Sequence, residues 1–171
     1  MKKFLTIIFA VLTGVFLAGN ASAEPPLCGG VTDRTDHAAP KVINSKEITA
    51  FSTSFLLADE KSSSSEVRYW SFSVEKADSD RIVIDLGNGA TVQADVVLLA
   101  ELQQIIDRFD LAALNGTDRV VAGLPPMFDP CRLNVVYASG ERLYFRRNSR
   151  PQEGWPKAML DILLEASGKT L

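Results

Sequence analysis

The chain has a single histidine, His37, and that scarcity restricts its chemistry more than any motif it carries. A serine or cysteine nucleophile needs a nearby base, most often an imidazole. The one available lies between Glu24 and Pro40, a stretch rich in Pro, Gly and charge with no helical or strand period. Cys28 and His37 would make a thiolate pair only if Cys28 were not engaged elsewhere. Asp33, Asp36 and His37 have the donor types for a divalent cation. Three donors crowded into five loop residues, without an i, i+4 histidine pair, read instead as a solvated segment.

Two carboxylate pairs invite comparison with glycosidases. That chemistry holds two carboxyls ~5–9.5 Å apart across a cleft. Asp78 with Asp80 reads as a turn, and Asp107 with Asp110 as the wet face and end of a helix. Gly87-Asn88-Gly89 is followed by a strand pattern, not by the helix start that aims amides at a phosphate. No catalytic residues, metal ligands or cofactors emerge, so the sequence points away from an enzyme. The reading of a different class, a small extracytoplasmic hydrolase using carboxylates, requires a cleft with two ionisable groups of displaced pKa.

The one charge asymmetry lies late in the chain, where Arg132 to Lys157 contains six basic and two acidic residues. By strand parity Arg142, Tyr144 and Arg146 share a face, with Arg132 and Asn134 beside them. Arginines interleaved with tyrosine hold anions by forked hydrogen bonds and stacking. Arg132, Arg142, Tyr144 and Arg146 are therefore the candidate binding residues, for an acidic protein, a glycan or a phosphate-bearing envelope component. The plainer reading is a solvated hairpin face whose charges prevent edge pairing. Trp155 and Pro125-Pro126-Met127-Phe128 are either recognition anchors or closures of the core.

The elements that must position these residues follow from periodicity. From Ile48, Phe51, Thr53, Phe55 and Leu57 share one face and Ala50, Ser52 and Ser54 the other. After a polar loop with Ser62 to Ser65, Trp70, Phe72 and Val74 alternate with Tyr69, Ser71 and Ser73. Ile82, Ile84 and Leu86, then Ala90, Val92 and Ala94, flank the Asn-Gly signal of a tight hairpin. Leu98, Leu99, Leu102, Ile105, Ile106 and Phe109 recur at helical spacing, with Gln103 on the polar side and Asp95 placed to cap the helix. Cys131 to Tyr137 and Glu141 to Arg147 form a second hairpin around Ser139-Gly140, with Leu133, Val135, Tyr137, Leu143 and Phe145 inward. Pro156 suits the start and Gly168 the end of a closing helix. The expected fold is α+β, an antiparallel sheet of about six strands with two helices packed on one face.

Lys2 and Lys3, an apolar run from Phe4 to Ala18 and the small residues Ala21-Ser22-Ala23 have the layout of a secretory signal. The run is shorter than the ~20 residues that span a bilayer, so cleavage is expected and no membrane span thereafter. The organisation is then 1–23 signal peptide, 24–47 irregular lead-in and 48–171 a single α+β domain, in a protein exported to a periplasm or secreted. Removing Lys2 and Lys3 takes the net charge from −3 to −5, an acidic balance that argues against nucleic-acid binding. In an oxidising compartment Cys28 and Cys131 are expected to form a disulfide. It would close a loop worth ~4–5 kcal/mol in the chain-entropy model; the alternative is two free thiols.

Lys41 to Phe55 (KVINSKEITAFSTSF), Asn115-Gly116, Gly123 to Phe128 (GLPPMF) and Tyr137 to Tyr144 (YASGERLY) resemble, in that order, a group of uncharacterised exported bacterial proteins. The resemblance implies no activity. Members of the group carry a more acidic or amide-rich stretch after the last strand, where this chain has Arg146-Arg147-Asn148. The functional expectation is a non-enzymatic binding or interaction domain.

Overall fold

The computed structural model describes residues 30–58, 67–77, 81–87, 89–124, 130–150 and 153–168. The signal sequence, Cys28, the four-serine loop, Asp78-Ser79-Asp80, Asn88 and Pro125 to Phe128 lie outside the described residues. In chain order the strands are β1 (Val31–Asp33), β2 (Ile48–Ala58), β3 (Val67–Lys76), β4 (Arg81–Asp85) and β5 (Thr91–Asp95). Helix α1 (Val97–Arg108) and a 3-10 turn (Leu111–Leu114) follow, then β6 (Asp118–Val121), β7 (Pro130–Tyr137), β8 (Arg142–Asn148) and helix α2 (Trp155–Ala166).

The strands form one sheet in the order β1-β6-β8-β7-β2-β3-β4-β5. The class is α+β as expected, but the sheet has eight strands among the described residues, not about six. The two additions are β1, inside the stretch read as irregular, and β6, which pairs with β8 in parallel while every other described pair is antiparallel. Both are short and neither has a buried face, so neither produces the alternation that betrays a half-buried strand.

Alternate residues of the inner strands enter the core. Phe51, Phe55, Phe72, Val74, Ile82, Ile84, Leu133, Val135, Leu143 and Phe145 are buried, and both helices pack over them with Leu102, Ile106, Met159 and Leu163 fully enclosed. Trp155, the first residue of α2, sits edge-on between Phe55 and Phe145 at centroid distances of 5.8 and 5.7 Å. At 2 % exposure it anchors the helix to the sheet and is no surface recognition residue. Its indole N–H donates to Glu153 Oε2 at 3.1 Å.

Asp95 Oδ1 accepts the Val97 N–H at 2.8 Å, but Asp95 is the last residue of β5 and not the expected cap; the N-cap of α1 is Val96, which has no side-chain cap bond. Gln103 departs from its expected place on the wet side. It is buried, and its Nε2 donates to Asp107 Oδ1 at 2.9 Å.

Among the described residues no disulfide is at bonding distance: Cys131 is a free, buried thiol, and its expected partner Cys28 lies outside them. Cys131 shares the inward face of β7 with Leu133 and Val135, under the helical layer. Burial raises its pKa above the usual thiol value, and the neighbouring Arg147 and a bond from Ser149 offset part of that rise.

Asn115 ties distant segments together. Its Nδ2 donates to the carbonyls of Pro40 and Arg142 at 2.9 and 3.1 Å, and its Oδ1 accepts the Tyr144 N–H at 2.8 Å. Gly116 follows with a φ of +79°, and a Cβ there would stand 2.5 Å from the Asp36 carbonyl oxygen, so only glycine fits.

Candidate binding face

Both helices lie on one side of the sheet, no described helix covers the other side, and strand register dictates what that side presents. Residues directly opposite on neighbouring strands share a face. One row runs Arg146–Arg132–Ser54–Ser71 across β8, β7, β2 and β3. The next runs Tyr144–Asn134–Ser52–Ser73–Asp85–Thr91, ending on β5. A third places Arg142 opposite Val136 and Ala50.

The four residues singled out from sequence all emerge on this face, but in different states. Arg146 Nε is held by Asp118 Oδ1 at 2.7 Å, with both side chains largely shielded. Arg132 and Arg142 are exposed and make no side-chain hydrogen bond or ion pair among the described residues. Tyr144 is half-buried beside Asn134.

What sequence reasoning missed is the neighbourhood of Arg132. A shallow trough of about 180 Å³ is lined by Ser52, Ser54, Ser71 and Ser73, and bounded by Arg132, Tyr69 and Asp85. The signal was present, since alternation already assigns these serines outward. The missing step was that β7 pairs with β2, across 79 residues of sequence at the Thr53 hydroxyl bond to the Arg132 carbonyl. Gly87, with a φ of +70°, closes one end, where a Cβ would meet the Ser71 carbonyl oxygen at 2.7 Å.

The other candidates are engaged locally. Asp33 Oδ1 accepts the Thr35 N–H and Asp36 Oδ1 the Ala38 N–H. Among the described residues no group of three His, Cys, Asp or Glu side chains is placed to hold a metal ion. Asp107 binds Lys46 and Gln103. Two described carboxyls have displaced pKa values, and both are lowered. Bonds from Thr35 act on Asp33, and the amides of Asn44 and Ser45 act on Glu141. A general acid needs the opposite displacement. No family model, curated protein or solved structure matches this chain.

Proposed function

We propose that the protein is an exported, non-enzymatic binding domain that recognises an anionic envelope component on the open face of its sheet. One observation carries this reading: the helices cover only one side of an eight-stranded sheet. The other side presents serine hydroxyls and the guanidinium groups of Arg132 and Arg142, unpaired among the described residues. A rigid, half-covered sheet is a preorganised platform, so binding there requires little ordering of the protein. Recognition through guanidinium forks also explains how a chain of net acidic charge would hold an anion, since the contact depends on local charge.

The test is retention of envelope components by the purified protein beside an Arg132→Glu/Arg142→Glu variant. Both side chains are exposed, so the variant is expected to keep the parent circular dichroism spectrum. Loss of a specific component, with a parent complex weakened by salt, is the expected result. Identical retention by both proteins would remove the open face from consideration.

A further inference from the structure

The reading of the open face as the working surface can be taken to a ligand class. Resting on it, we propose that the trough seats one carboxylate-bearing sugar residue of an acidic polysaccharide. In this arrangement Arg132 grips the carboxylate, the serines exchange hydrogen bonds with ring hydroxyls, and Tyr69 lies against the sugar's apolar face.

The floor makes the first part of the case. Ser52, Ser54, Ser71 and Ser73 are half-buried, and none of their hydroxyls is paired with another described group. A hydroxyl both donates and accepts, so a floor of four suits a ligand that itself carries hydroxyls. The charge makes the second. Because Arg146 is neutralised by Asp118, the trough has one available guanidinium, whose planar fork matches a carboxylate. A doubly charged phosphate would call for a cluster of cations or amides that the trough lacks.

The walls make the third. Tyr69 is 60 % exposed, and of the large hydrophobic residues exposed among those described it alone borders the trough. A protein partner needs a buried apolar anchor at the centre of its contact, whereas a sugar ring needs one aromatic face. Asp85 Oδ1 accepts the Gly87 N–H at 2.8 Å, which leaves its second oxygen for a sugar hydroxyl. Arg132 and Asp85 stand three strands apart, ~14 Å at the usual strand spacing, too far to neutralise each other. Size makes the last part. The trough is smaller than the ~300–1,000 Å³ of a pocket that engulfs a small molecule. It fits one unit of a chain that continues across the open sheet.

Titration calorimetry of the purified protein with a hexauronate, its carboxyl-reduced counterpart, inorganic phosphate and a polyglutamate peptide tests the assignment. Saturable binding of the hexauronate is expected. It should weaken at least about tenfold on carboxyl reduction or Arg132→Glu, the loss of one charge-assisted fork, and several-fold in Tyr69→Ala. Arg108→Glu, an exposed change on helix α1 across the sheet from the trough, should leave it within about twofold, because screened charges beyond ~10 Å contribute little. No hexauronate binding, or binding indifferent to Arg132→Glu, overturns the proposal. Tighter binding of phosphate or polyglutamate than of hexauronate also overturns it. Envelope retention that still depends on Arg132 and Arg142 would then show that the open-face reading survives without the sugar.

Discussion

Arg146 and Arg147 are consecutive on β8, yet they emerge on opposite sides of the sheet and lead opposite lives. Arg147 points under the helices, where its Nη2 bonds Glu153 while Nε and Nη1 have no hydrogen-bond partner among the described residues. Arg146 points to the open side and pairs with Asp118 at a partly solvated edge. The covered side uses its charge to lock the entry of α2, since Glu153 also accepts from the Trp155 indole. The open side keeps Arg132 and Arg142 unpaired among the described residues. One layer is therefore specified by packing, and the other is left available for contact.

The contrast can be broken most severely on the covered side. Trp155→Ala should cost about 4 kcal/mol, the usual penalty for emptying a large aromatic site, read as a shift in the urea midpoint. Glu153→Ala should cost about 3 kcal/mol, because it leaves the Arg147 charge buried without its partner, checked the same way. Replacing both Arg147 and Glu153 with apolar residues should recover much of that loss.

Alkali provides a third probe of the same layer. Burial, reinforced by Asp107 and Glu141, pushes the Tyr137 phenol from 10.0 up to about 12. The unfolded chain ionises first, so the stability tied to this group is intact below pH 10 and is lost as pH rises through 12. Tyr137→Phe should flatten that decline, measured by urea melts at pH 9 and 11.

Effects on the open side should be smaller. Asp118→Asn should cost about 1 kcal/mol, as expected for a partly exposed ion pair. It should also release Arg146 to join Arg132, sharpening the contrast by strengthening retention of polyanions. Arg132→Gln should leave stability within about 0.5 kcal/mol, the range for surface changes that remove no packing. A larger loss in thermal unfolding would mean that the open face is structural.

The covered layer was legible in the sequence because burial on one side imposes a period. Phe51, Phe55, Phe72, Val74, Leu133 and Phe145 announce their strands and the face they bury. Val31-Thr32-Asp33 and Asp118 to Val121 announce nothing, since a strand formed by edge pairing alone needs no alternating side chains. The same gap hid the engagement of Arg146, which requires β6 to lie parallel to β8. Parity placed all four candidate binding residues on one face. It gave no strand order, and strand order is what brings Arg132 against the serines of β2 and β3. Gln103 was misplaced because a helix with a wide apolar stripe, packed on both a sheet and a neighbouring helix, buries a flanking polar residue.

The ties made by Asn115 and Glu141 have a kinetic meaning. Glu141 accepts the amides of Asn44 and Ser45 across 97 and 96 positions of sequence, and Asn115 holds the Pro40 carbonyl across 75. The amides of Asn44 and Ser45 thus find these partners only once the β7–β8 hairpin has brought Glu141 into place. β2 can find β3 early through a local connection, but its other edge waits for β7. Long-range pairings of this kind must bear their loop-closure entropy before they return any stabilisation. The centre of the sheet is therefore completed only after the last third of the chain has arrived, and until then β2 offers an unpaired edge to whatever else is nearby.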